Sequence, residues 1–102
     1  MTDITEGRRL AGASVLPYSC DPSHNNIYFL LGAERKLPKW NDSNKWSDFG
    51  GSREGKESQY QTAVREGVEE SSGILGTKRD VRDLIKHHLL GKITDKAYSI
   101  WI

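Results

Sequence analysis

Three glutamates near the middle of the chain have a spacing that could support metal chemistry. Glu66, Glu69 and Glu70 stand at i, i+3 and i+4, which puts them on one face of a helix. Like charges at those spacings weaken a helix by about 0.2–0.5 kcal/mol per pair, and a bound cation removes that repulsion. Mg²⁺ prefers carboxylate and phosphate oxygens and can activate a water molecule for attack on phosphorus. On these residues alone, however, a solvated helix face is the favoured interpretation and a metal site is the alternative.

Residues upstream of the glutamates favour the interpretation as a metal site. Gly51 lies in a Phe-Gly-Gly sequence, and glycines let a loop turn tightly and approach a ligand closely. Glu57 stands at the predicted helix start. Arg65 could orient Glu66 or meet a phosphate, because its planar guanidinium suits both partners. The alternatives are an ordinary turn for the glycines and an i, i+4 ion pair with Glu69 for Arg65.

Residues 51–74 resemble the Nudix box. The sequence has Gly51, five residues, Glu57, seven residues, Arg65-Glu66 and then Glu69-Glu70 at the spacings of that motif. Six fixed positions in register make a specific signal. The sequence departs from the motif at two places. Gly67 replaces an aliphatic residue, and the closing Gly-aliphatic pair is one residue late, at Gly73-Ile74, with Ser72 where glycine is expected. These departures concern packing and the exit turn more than the acidic residues.

The resemblance implies an α/β fold, a Nudix-type α/β/α sandwich with a mixed sheet. It implies metal-dependent hydrolysis of a nucleoside diphosphate linked to another group, with Mg²⁺ or Mn²⁺ as cofactor. The resemblance does not select one substrate, and a capped RNA 5′ end is one of the alternatives. By the same resemblance Glu66, Glu69 and Glu70 are the metal ligands, and Glu66 or Glu70 also serves as base. Arg65 orients Glu66, and Gly51 and Glu57 belong to the outer shell. Family domains usually continue further, so residues 9–102 are expected to be a domain cut short at its C-terminal end.

Other polar and aromatic residues are weaker candidates. Arg35, Lys36 and Lys39 follow an apolar strand and could meet substrate phosphates, although a solvated loop is favoured. Trp40 and Trp46 lie in the same loop, where packing is favoured over stacking on a base. His87 and His88 are expected to be surface residues. Cys20 is expected to be an inert thiol in a turn, because no basic neighbour activates it.

The elements that must hold these residues follow from local patterns. Residues 1–8 are a flexible polar segment, and residues 10–18 and 27–31 are strands joined by a turn, with Ile27 to Leu31 buried on both faces. Helices are predicted from residue 57 or 58 to residue 71 and from residue 77 to residue 90, each followed by glycine. Ala97 to Ile102 begin a strand that would be an exposed edge if its neighbours are missing.

Composition sets the remaining limits. The chain has 102 residues, one cysteine and a net charge of +1. The length predicts one small domain, and the near-zero net charge predicts no overall electrostatic attraction to nucleic acid or membranes. No apolar run reaches membrane-span length, and the absence of a cysteine pair suits a reducing, cytoplasmic setting. Two further hypotheses stay open. One is a non-catalytic Nudix-fold module that binds a nucleotide or an RNA end. The other is a helical interaction domain with a chance acidic face.

Overall fold

The strands and helices around the candidate residues are short. A computed structural model describes residues 12–33 and 46–102. Within those ranges the elements, in chain order, are β1 Gly12–Val15, β2 Tyr18–Asp21, β3 Asn26–Phe29, β4 Gly32–Ala33, β5 Trp46–Ser47, β6 Phe49–Ser52, α1 Gln59–Glu70, α2 Lys78–His88, β7 Lys92–Asp95 and β8 Tyr98–Trp101. The predicted N-terminal segment 1–8 lies outside the described residues, as do Arg35, Lys36, Lys39 and Trp40. Neither described helix has the length and apolar character that a membrane crossing requires.

A mixed sheet of four strands, in the order β6-β1-β8-β7, is the platform of the domain. Strand β1 is antiparallel to β6 and parallel to β8, while β7 and β8 form an antiparallel hairpin. The predicted mixed sheet is therefore confirmed. Because most pairs are antiparallel and two helices follow each other in sequence, the domain is a small α+β fold.

Helix α1 covers one face of this sheet. Its start is set by a reciprocal capping box between Ser58 and Gln61, which satisfies backbone donors that a helix end leaves open. Its packing stripe includes the buried residues Ala63 and Val64, which contribute to a core with Val15, Phe49, Val81 and Trp101. The predicted helix and its buried stripe are confirmed, and the neighbouring stripe presents the acidic residues.

Helix α2 packs against α1 on the same side of the sheet. A second capping box joins Thr77 and Asp80 at its start, as predicted, and Val81 is buried. Leu84 and Leu89 belong to the predicted apolar stripe but keep 47% and 44% of their surface exposed. Both helices of the described residues thus lie on the same face of the four-stranded sheet. The three-layer α/β/α sandwich is not seen in residues 12–33 and 46–102.

The hairpin of β2 and β3 corrects two predictions. The two strands pair through residues 18–21 and 26–29 around a turn at residues 22–25, so a hairpin at this turn is confirmed. Its expected first strand, residues 10–18, was wrong, because residues 12–15 pair within the four-stranded sheet. Ile27 to Leu31 were expected to be buried on both faces, and this was wrong. Each of these five residues is 41–56% exposed, because β3 pairs with β2 in a separate two-stranded ribbon and not within the four-stranded sheet.

The C-terminal strand has a partner on each side. Ala97 to Ile102 were expected to begin a strand, which would be an exposed edge if its neighbours were missing. The strand is confirmed as β8, and it lies between β1 and β7. The sequence did not reveal β7, because Lys92-Ile-Thr-Asp is short and mostly polar and forms a strand only by pairing with β8. The described sheet therefore has β6 and β7 at its edges.

Candidate functional site

Arg65 is the central side chain of the site. It lies on α1 with only 7% of its side chain exposed. Its Nε donates to Glu57 Oε2 at 2.8 Å, and its Nη2 donates to Glu57 Oε1 at 3.0 Å. Nη2 also donates to the Ser52 carbonyl at 2.8 Å. The guanidinium thus ties the end of β6, the following loop and α1 into one unit, with the paired geometry that makes arginine–carboxylate contacts strong.

The same guanidinium reaches the acidic face of the helix. Its Nη1 donates to Glu66 Oε2 at 3.1 Å and to Glu69 Oε1 at 3.0 Å, and Glu54 lies 3.5 Å away. The two alternatives for Arg65, orienting Glu66 and pairing with Glu69, therefore occur together. The hydrogen bonds to Glu57, and next the contact with Glu66, hold the pKa of Arg65 above its usual range.

Glu57 is a structural anion at the helix start. Besides the two bonds from Arg65, its Oε1 accepts from the Glu54 backbone N–H at 2.9 Å and from the Thr62 hydroxyl at 3.1 Å. Hydrogen bonding by Arg65, followed by the Glu54 backbone, lowers the pKa of Glu57 to about 2. Glu57 therefore stays ionised and fixes the loop before α1.

Glu66 occupies a space that Gly51 leaves open. Its side chain is 12% exposed, and a β-carbon at residue 51 would stand 2.4 Å from Glu66 Oε2. Burial raises the pKa of Glu66, and the neighbouring charges of Glu70 and Glu69 act in the same direction, while Arg65 opposes them. A partly buried carboxylate with a raised pKa is the kind of group that enzymes use for proton transfer.

Glu69 and Glu70 are more open to solvent. Glu69 is 56% exposed and turned toward Arg65, and Glu70 is exposed at the last residue of α1. In the part of the chain that the structure describes, no three acidic, histidine or cysteine side chains are grouped as a metal site. The donor types nevertheless fit a hard divalent cation, since all three side chains offer carboxylate oxygens.

The two departures from the motif have physical explanations in the fold. A β-carbon on Gly67 would meet Val15 Cγ2 at 2.8 Å, so glycine allows α1 to lie close to β1. Ser72 has φ +54 and is the first residue beyond the helix cap. The bonds Ser72 N–H to Glu69 carbonyl, 3.1 Å, and Gly73 N–H to Val68 carbonyl, 2.9 Å, close the helix in a Schellman motif. The position where the motif has glycine is therefore the left-handed one.

The weaker candidates are separate from this cluster or undescribed. Arg35 and Lys39 lie outside the described residues. Trp46 was expected to pack in the core or at its rim; it lies in β5, paired with β4, and is 69% exposed, so a core position is wrong. His87 and His88 are exposed, as expected. Cys20 is exposed and lies in β2, where a turn was expected.

Sequence reasoning missed two partners of Arg65. The Ser52 carbonyl carries no side-chain signal, because any residue at the end of β6 would supply the same oxygen. Glu54 differs, since its proximity to Arg65 depends on how the loop before α1 folds back. Comparisons with family models, with curated proteins and with solved structures found no match for this chain.

Proposed function

We propose that the chain is a metal-dependent pyrophosphohydrolase of the Nudix type, which cleaves a nucleoside diphosphate linked to another moiety. The observation that carries the proposal is the arrangement around Arg65. One buried guanidinium holds Glu57 in the loop and Glu66 and Glu69 on the helix, while Gly51 leaves room for Glu66. These are the relationships that the resemblance implies, in which Arg65 orients Glu66 and Glu57 supports the helix start.

The metal would be held by Glu66, Glu69 and Glu70, as Mg²⁺ or Mn²⁺. When bound, it would supply charge stabilisation to phosphoryl oxygens and lower the pKa of a coordinated water. The carboxylate set fits such a cation chemically. Glu69, at 56% exposure, has space to leave Arg65, whereas Glu66 is held by its burial.

The protein side chains would orient the acidic face and move the proton. Glu66 is the first candidate base by the resemblance; burial raises its pKa in the chain without metal, and a cation bound to its carboxylate would lower that pKa. Glu70 is the second candidate base. Arg65 keeps Glu66 aimed along the helix, and Glu57 keeps Arg65 in place. The substrate partner is a nucleoside diphosphate derivative, with an RNA 5′ end among the open choices.

One observation favours a non-catalytic nucleotide-binding or RNA-end-binding module as the second candidate. Arg65 engages Glu66 and Glu69 at once, so both of these proposed metal ligands already have a hydrogen-bond partner within the chain. Such a module would bind a nucleotide without turnover. The third hypothesis, a helical interaction domain, was wrong about the fold, because the described residues form a four-stranded sheet.

The test is release of phosphate or pyrophosphate from a panel of nucleotides, dinucleoside polyphosphates and capped RNA, with and without Mg²⁺. Glu69→Gln and Glu70→Gln are expected to lower turnover about 100-fold, equivalent to about 2.7 kcal/mol of transition-state stabilisation. The control is Asp83→Asn, which removes the same charge from an exposed position on α2 and should leave turnover unchanged. Nucleotide binding without metal-dependent release would support the binding module instead.

A further inference from the structure

A second polar groove lies between the two helices, separate from the acidic face. Its volume is about 330 Å³, and it is bordered by the residues that precede α1, the first turns of α1 and the first turns of α2. The side chains that decide its chemistry are Glu54, Lys56, Glu57, Tyr60, Lys78 and Arg82. On α1, Tyr60 is about 180° around the helix from Glu69 at 100° per residue. The groove borders the first turns of α1, and it shares Glu54 and Glu57 with the cluster around Arg65.

Three cations and two carboxylates line the groove, and both carboxylates lie near Arg65, which also contacts Glu66 and Glu69. Glu57 lies 2.8 Å from Arg65 and Glu54 lies 3.5 Å from it. In contrast, Lys56, Lys78 and Arg82 make no ion pair within residues 12–33 and 46–102. Three cations from two separate parts of the chain therefore line one concave surface without an ion pair among the described residues, and Glu54 and Glu57 line the same surface.

This arrangement is not explained by the stability of α2. Lys78 and Arg82 are four residues apart on one face of the helix, and like charges at that spacing cost about 0.2–0.5 kcal/mol. Lys78 is also the first residue of α2, where the helix dipole disfavours a positive charge. The fold therefore bears a small electrostatic cost that an anionic ligand in the groove would remove.

The wall between the cations is aromatic and fixed. Tyr60 packs edge-on against Trp101 with ring centroids 5.8 Å apart, and Val64 continues the apolar side of the groove. Cations that follow a groove beside an aromatic ring are typical of surfaces that bind single-stranded nucleic acid. A sugar or base can lie against the ring while phosphates meet the cations.

We propose that this groove binds the phosphodiester backbone of a single-stranded nucleic acid, with Lys56, Lys78 and Arg82 as its phosphate contacts. The choice of nucleic acid over another polyanion rests on the proposed function, because the groove lies beside a site proposed for a nucleotide diphosphate. A strand whose 5′ end reaches the acidic face would continue around α1 into the groove.

The experiment measures binding of a fluorescein-labelled single-stranded RNA of about six nucleotides, a length within the usual footprint of such surfaces. Fluorescence anisotropy is recorded in EDTA with the Glu69→Gln chain, so that neither metal nor turnover contributes. RNA binding is then measured independently of hydrolysis, so a chain that hydrolyses no nucleotide can still confirm or contradict this proposal. Neutralising three phosphates on a single strand predicts a slope of about −2 in log K against log salt, or roughly a 20-fold loss of affinity between about 50 and about 200 mM.

The variants Lys56→Gln, Lys78→Gln and Arg82→Gln should each reduce that slope by about 0.7, and Arg82→Lys should retain it. The matched control is Arg79→Gln, which removes one charge from the same turn of α2 but does not line the groove. Circular dichroism establishes that each variant is folded. The proposal is overturned by absence of binding at about 50 mM salt, by an equal loss in Arg79→Gln, or by equal competition from an acidic peptide of matched charge.

Discussion

Replacing Arg65 tests whether one guanidinium holds the loop, the strand and the helix together. Arg65→Gln removes the charge and the donors that reach Glu57, Glu66 and Ser52, while Glu66 remains 12% exposed. Removing one partner of a buried ion pair costs about 3–5 kcal/mol, because the remaining charge stays buried without compensation. The lower end, about 3 kcal/mol, applies here because Glu69 is 56% exposed and can turn to solvent. That is a large part of the roughly 5–15 kcal/mol that stabilises a domain of this size.

Urea denaturation followed by tryptophan fluorescence measures this loss. With a slope of about 1.5 kcal/mol per molar, the unfolding midpoint should fall by about 2 M. Arg65→Lys keeps the charge but cannot make two parallel bonds to Glu57, so its midpoint should lie between those of the wild type and Arg65→Gln. Arg79→Gln is the control, since a substitution at an exposed position usually changes stability by less than about 0.5 kcal/mol.

The same variant should change the dependence of stability on acid. In the wild type the pKa of Glu57 falls from 4.5 to about 2, so its contribution is complete above pH 4.5 and is lost as the pH falls toward 2. Glu66 acts with the opposite sign, because burial raises its pKa and protonation relieves that cost. In Arg65→Gln the acid loss from Glu57 should largely disappear. An Arg65→Gln chain within about 1 kcal/mol of wild type, with an unchanged acid profile, would refute this account of the site.

Two further predictions concern the departures from the motif. Ser72→Gly should stabilise the domain by about 0.5–1 kcal/mol, because φ is +54 at this residue and glycine adopts that region without steric cost; a lower melting temperature would contradict the Schellman assignment. Gly67→Ala should destabilise by about 1–3 kcal/mol, although alanine favours an ordinary helix, because its β-carbon would stand 2.8 Å from Val15 Cγ2. A double-mutant cycle with Val15→Ala measures the coupling, and a stabilised Gly67→Ala chain would remove the proposed contact.

The local features of the site could be predicted from the sequence. The bounds of α1, the Ser58 start, the acidic face and the buried stripe depend on residues within four positions of each other, because helix periodicity and capping are local interactions. The turn at residues 22–25 followed from turn residues in the same way, whereas the first strand of its hairpin did not. The expected identity of the metal ligands came from the resemblance and stays a prediction.

The tertiary structure decided everything that joins distant parts of the chain. It left Ile27 to Leu31 exposed, with residues 27–29 in a separate ribbon, and it put β8 inside the sheet. Strand partners are chosen across long sequence separations that a periodic pattern does not encode. The structure also showed that Arg65 reaches Ser52 and that Lys56 shares a groove with Lys78 and Arg82. The sequence by itself determined which residue types lie on each helix face. Only the packed fold decided which of them meet, because those contacts depend on how helices and strands approach one another.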